Sequence, residues 1–225
     1  MDVYSLEAVD MTTPSYYGKW QEGWYLCASL TAVVLGVSLA IWGAQPDVTG
    51  VRGVAIFSAR YALVLFCTAF AASAVQTLWP APWTHWLKRN RRYLGVAFAI
   101  AHTVHLAAVV AFAIAAPALF DTAKPSFTFS ILGAIGYLFM YVMVATSFDQ
   151  AVIWMGRPAW QLLHRMGSYY VWSMFISAFV IYTLHRPTVE LHVILCVSLL
   201  FVVIGLRSVA WIRRSQLKLQ NAAAR

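Results

Sequence analysis

The chain has 225 residues, of which 61% are apolar and 11% charged. Soluble domains carry about 25% charged and about 45–50% apolar residues, so this composition excludes a water-soluble globule and makes the bilayer the solvent. The net charge of +8 sits in short segments between apolar runs, which points to membrane topology rather than to a nucleic-acid surface.

A spanning helix needs about 20 mostly apolar residues, each rising about 1.5 Å through a core of about 30 Å. In chain order, six stretches qualify: Gly23–Gly43, Ala55–Leu78, Tyr93–Phe120, Phe127–Ser147, His164–Leu184 and Thr188–Ile212. Breakers separate them at Gln45-Pro46-Asp47, Pro80 and Pro82, Lys124-Pro125, Arg157-Pro158 and Arg186-Pro187. Tryptophans gather near several ends (Trp20, Trp24, Trp42, Trp79, Trp83, Trp86, Trp211) as in an interfacial belt. Cys27, Cys67 and Cys196 lie in apolar runs without a CxxC pair and read as small core residues.

Loop charge sets the orientation. With the N-terminus inside, the inner segments hold Lys19, Lys88, Arg89, Arg91, Arg92, Arg157, Arg165, Arg213, Arg214, Lys218 and Arg225, against Arg52, Lys124 and Arg186 outside. The expected fold is all-α: an integral membrane bundle of six transmembrane helices, N-in and C-in. Residues 1–22 form a cytoplasmic N-terminal segment, 23–212 the six-helix domain, and 213–225 a basic cytoplasmic tail suited to lie near anionic lipid. The first 22 residues, with Asp2, Glu7, Asp10 and Glu22, lack the basic start of a signal peptide.

Chemistry can reside in the histidines. His102 and His105 are three apart on the uncharged third helix and share one face. Ionisable groups inside a membrane are costly and turn to the bundle interior. They either hydrogen-bond neighbouring helices or ligate a metal or haem, as facing helices of a bundle do. Arg60, two turns into the second helix, costs about 2.5–3.5 kcal/mol at mid-membrane and less near the surface. It either snorkels outward or holds an anionic group. Arg91 and Arg92 are inside-positive loop charge or anion contacts. Tyr137, Tyr141, Tyr169 and Tyr170 read as packing groups.

Three stretches carry a resemblance: Arg91-Arg92-Tyr93-Leu94-Gly95-Val96-Ala97-Phe98 ending at His105; Thr146-Ser147-Phe148-Asp149, then Trp160-Gln161-Leu162-Leu163-His164-Arg165 and Tyr169; and, more weakly, Arg60-Tyr61-Ala62-Leu63-Val64-Leu65. Together these resemble the ferric reductase-like transmembrane superfamily over roughly Arg60 to Tyr170. Within it they look most like the haem-binding membrane subunit of the bacterial methionine sulfoxide reductase system. The resemblance implies a six-helix bundle in a bacterial-type inner (plasma) membrane, holding one or two b-type haems, with FMN or quinone as a further cofactor. It implies electrons drawn from a cytoplasmic flavin reductase or quinol and delivered to an outer-side redox partner protein or small acceptor. On its motifs, His105 and His164 match haem-iron ligands, with His102 and His192 as further candidates, and Arg91, Arg92 and Arg60 match anion contacts.

The sequence departs from that pattern in two places. The inner position of the third helix falls on Arg91 or Arg92, and the outer position of the fifth falls near Ser177. If Tyr93 and His164 mark the inner surface, His105 stands roughly 18 Å up and His102 roughly 14 Å, so His105 and His164 should not clamp one iron. His192, a methionine such as Met174, or a five-coordinate haem are the remaining options. The chain has no GxGxxG, P-loop or CxxCH, so electrons must come from another protein or from a quinol. Two rivals stand beside this reading: a haem-poor or haem-free anchor or assembly subunit of the same fold, and a small transporter.

Overall fold

The structure is a computed structural model and describes Gly18 and residues 21–123, 127–184 and 190–223. Most of the segment 1–22, the Lys124-Pro125 and Arg186-Pro187 breaks, Thr188, His185 and Arg225 lie outside the described residues. The described residues form eight α-helices and no strand.

α1 (Gly23–Ala44) stops at Gln45 because the next residue is Pro46, which disfavours helical backbone before it. α2 (Val48–Leu78) starts seven residues before the apolar run that predicts it. Asp47 is the reason: its carboxylate accepts from the Thr49 and Gly50 N–H groups at 2.8 and 3.1 Å. The turn is tight enough that a Cβ at Gly50 would meet the Gln45 carbonyl oxygen at 1.8 Å.

α3 (Pro82–Ala115) also outruns its apolar core. Pro82 occupies the first turn, where its missing N–H costs nothing. The Thr84 hydroxyl accepts from the Ala81 N–H at 3.0 Å and donates to the Trp79 carbonyl at 2.8 Å. At the other end the expected helix to Phe120 is divided: Pro117 ends α3, and a short α4 (Pro117–Ala123) follows.

α5 (Phe127–Ala145) is followed by α6 (Asp149–Met155) after a bend of 102°. Gly156, at φ +77°, turns the chain into α7 (Arg157–Leu184). α8 (Leu191–Ala223) runs through most of the segment expected as a tail, so the basic residues Arg213, Arg214 and Lys218 stand on a continuous helix. At 33 residues and ~1.5 Å each, α8 is longer than the bilayer core is thick.

Four helices (α1, α2, α3 and α8) are long and apolar enough to cross a membrane, and the bent pair α5–α6 makes five if it counts as one span. α7 has the length, with 28 residues, but Ser168, Tyr169, Tyr170, Ser173 and Ser177 lower its apolar character.

Packing divides the bundle in two. α2 and α3 form the tightest pair, with α1 and α8 against them, while α5 and α7 pair with each other. Both helices carry small buried residues, Ala62 and Ala71 on α2 and Ala97 and Ala101 on α3. In lipid, helices associate through such close packing rather than through a hydrophobic drive. Polar links fix the register. Asn90 is 1% exposed; its Oδ1 accepts from the Gly23 N–H at 2.8 Å, and its Nδ2 donates to the Trp86 carbonyl at 3.0 Å. Tyr170 donates to the Leu132 carbonyl, joining α7 to α5, and Trp172 Nε1 to the Leu200 carbonyl, joining α7 to α8. α3 and α7 face each other with little backbone contact, and the space between them is where the cavities lie.

Candidate functional site: two cavities between the helix groups

The first cavity, of about 500 Å³, is lined from α2, α3, α5, α7 and α8 and includes His102, His105, His192, Arg52, Arg60 and Met174. The second, of about 960 Å³, lies toward the α2–α3 turn and includes His164, Arg91, Arg92, Arg165, Arg207 and Arg214. Phe98 and Met140 line both, so the two are neighbours along the bundle.

In the histidine cavity, His105 Nδ1 lies 2.9 Å from the Ala55 carbonyl oxygen. A carbonyl only accepts, so Nδ1 carries the proton and Nε2 of the neutral ring keeps its lone pair. One helical turn away, His102 stacks on His105 with ring centroids 5.3 Å apart and on Tyr137 at 4.9 Å. Its Nδ1 is buried without a hydrogen-bond partner, which is rare for a buried polar atom. His192 Nδ1 pairs with the Glu190 carboxylate at 3.0 Å, and Tyr182 donates to the other carboxylate oxygen at 3.3 Å. That carboxylate, like the Ala55 carbonyl, accepts from Nδ1 and fixes the ring's orientation.

The donor set distinguishes two kinds of metal group. Among the described residues, no three His, Cys, Asp or Glu side chains come together to hold an ion. A haem brings four ligands of its own and asks the protein for one or two. One oriented imidazole, an orphaned nitrogen beside it, aromatic walls at Phe98 and Phe175, and two arginines for propionates suit that group. The volume lies within the range of small-molecule sites, about 300–1,000 Å³.

The arginine cavity differs. His164 Nε2 lies 3.1 Å from Thr146 Oγ1. The Thr146 proton goes to the Val142 carbonyl at 2.7 Å, so Nε2 donates, and His164 is tied to the end of α5. Trp160 packs on His164 at 4.3 Å and donates to the Thr146 carbonyl. Arg91 donates to the Ser73 hydroxyl at 2.9 Å. Arg92 pairs with Asp149 at 3.0 Å, but that carboxylate is 93% exposed, so the pair is worth only about 0–1 kcal/mol.

The sequence candidates are thus distributed rather than assembled. His102, His105, His192 and Arg60 share one cavity; His164, Arg91 and Arg92 share the other. Ser177 lines neither and donates to the Ser173 carbonyl at 2.8 Å. Sequence reasoning passed over Arg207 as an arginine within a helix. Its guanidinium lies 4.0 Å from the Phe70 ring centroid and donates to the Phe70 carbonyl at 2.7 Å. An intramembrane arginine is itself a functional signal. Glu190 was likewise passed over, and its place two residues before His192 was the available clue.

Compared with known proteins, the chain matches no family model, no curated protein and no solved structure. The ferric reductase-like resemblance rests on the quoted motifs.

Proposed function

We propose that this chain is a b-type haem-binding membrane protein that carries electrons across a bacterial-type inner membrane. Electrons come from a cytoplasmic flavin reductase or quinol and leave to an acceptor on the outer side. α1, α2, α3, α5, α7 and α8 are its six transmembrane helices, N-in and C-in, as the bias of Lys and Arg toward one side supports.

The observation that carries the reading is the histidine cavity, where His105 has its Nδ1 fixed by the Ala55 carbonyl and its Nε2 lone pair left over. A haem held there supplies one-electron transfer. His105 is its protein ligand, and His102, His192 and Met174 are the candidates for a second. Arg60 and Arg52 are the propionate partners at the rim. Arg91 and Arg92 are anion contacts in the second cavity. His164 serves chiefly to fasten α7 to α5, since its Nε2 is already committed to Thr146. One haem per chain follows.

A membrane-sided redox assay tests this reading. Purified protein is reconstituted in liposomes with a trapped reductant, and ferricyanide, which does not permeate, is added outside. The haem bands should reduce and then reoxidise on addition. Protein without a Soret band, or bands unresponsive to either side, would sink it.

A second reading, a haem-poor anchor of the same fold, is favoured by Ser177 standing where the resemblance expects a histidine. It predicts that His105→Ala leaves partner binding and activity intact.

A further inference from the structure

Among the described residues, the arginine cavity holds more positive charge than its carboxylates balance. Six basic side chains line it (Arg91, Arg92, Arg165, Arg207, Arg214 and Lys218) against one carboxylate, Asp149. Asp149 is spent on Arg92 and is almost fully exposed. The other hydrogen-bond partners are neutral. Arg91 donates to the Ser73 hydroxyl, Arg207 to the Phe70 carbonyl, and Arg214 to the Ala210 carbonyl. These bonds satisfy N–H groups and leave the charge uncompensated. Arg92 Nε is buried with no partner at all. Arg91, Arg92 and Arg207 are partly buried while Arg165, Arg214 and Lys218 stand exposed; uncompensated charge at a low-dielectric site is expensive, so the buried half of the cavity calls for an anion.

The rest of the lining says what kind. Away from the cations, the cavity is walled by Phe66, Phe98, Met140 and Met143. Its mouth is framed by Trp160 and Trp211, and by Arg214, Ser215 and Lys218 on the last turns of α8. Tryptophan and basic residues at helix ends mark the headgroup level of a bilayer. A free phosphate would satisfy the cations and leave the apolar wall wet. A molecule with an anionic head and a hydrocarbon body satisfies both halves, and the inner leaflet supplies acidic lipids in quantity.

We propose that the arginine cavity is a binding site for an acidic phospholipid. Its phosphate is held by the Arg91, Arg207 and Arg214 side chains, and its hydrocarbon lies along Phe66 and Met143. The site does not depend on the haem reading, since none of these residues belongs to the histidine cavity alone.

The protein purified in mild detergent is extracted for lipid phosphorus and weighed intact by native mass spectrometry. About one retained acidic phospholipid per chain is expected. Arg91→Gln combined with Arg207→Gln should lower its retention at least fivefold, while Lys88→Gln, outside the cavity, should retain it. Should the double variant fail to fold, Arg214→Gln and Lys218→Gln at the mouth replace it, with a weaker loss expected. Delipidated protein is then titrated in parallel with phosphatidylglycerol in detergent and with inorganic phosphate; the lipid should raise the melting temperature and phosphate should not. Equal protection by phosphate overturns the lipid assignment, as does retention of zwitterionic lipid only. A second haem per chain that is lost on His164→Ala makes this a haem site and overturns it too. Absence of any haem from the protein bears on the proposed function and leaves the lipid result standing.

Discussion

His105 donates from Nδ1 to a backbone carbonyl on α2, and that bond chooses which ring nitrogen stays basic. Its removal should abolish haem retention while leaving the bundle folded, because the ring lies at a cavity wall and not in a packed seam. Replacing His164 gives the contrasting outcome. His164→Ala should keep the Soret band and lower the melting temperature, since it frees the end of α5 from α7; absorption and thermal unfolding in detergent separate the two effects. Asn90 is a purely structural case. Asn90→Leu leaves the Gly23 N–H without its partner inside the fold, at a cost of about 1–3 kcal/mol, read as a lowered unfolding midpoint. At this scale the sequence was informative where a residue is out of character with the membrane, as His102, His105 and Arg60 are. It was silent on partners. Nothing in Ala55 announces that its carbonyl orients a histidine 50 residues away, and nothing in Thr146 announces that it will accept from His164.

Elements were legible through their breakers. Pro46 and Asp47 end α1 and start α2, and Pro82 starts α3. The bounds of α2, α3, α7 and α8 differ from the apolar runs, and the reasons are physical. The apolar-run criterion follows hydropathy alone, so it cut off the first turns of α2 and α3, which Asp47 and Thr84 hold in place. Pro117 sits inside an uninterrupted apolar run, so composition hid the break that the missing N–H imposes. The α1–α2 hairpin offers a direct check. Gly50→Ala places a methyl group 1.8 Å from the Gln45 carbonyl oxygen, a backbone atom unable to move aside without opening the turn. Its folded yield and melting temperature should fall well below those of Gly53→Ala, whose nearest neighbour is the flexible Ile41 side chain at 2.9 Å.

Over the whole molecule, two helix groups are held apart by two chemically different chambers. α1, α2, α3 and α8 carry the packed core, and α5 and α7 close the other side. The charge pattern along the sequence predicts which ends share a side of the membrane, but the pairing of helices across a cavity is a tertiary fact with no local signature. The proposed orientation has its own test. A single cysteine at Thr49, in the first turn of α2, should react with an impermeant maleimide added to whole cells, and one at Lys88 only after the membrane is opened. These are placed in a background with Cys27, Cys67 and Cys196 replaced, all of which are free thiols. The reverse labelling pattern would invert the topology.

The central claim is that the histidine cavity holds haem on His105. It is tested most directly by a pyridine haemochrome assay with a reduced-minus-oxidised spectrum, on the purified chain and on His105→Ala. The account predicts one b-type haem per chain, with a Soret band that disappears in the variant. A wild-type chain without haem, or a variant that keeps all of it, would contradict the account.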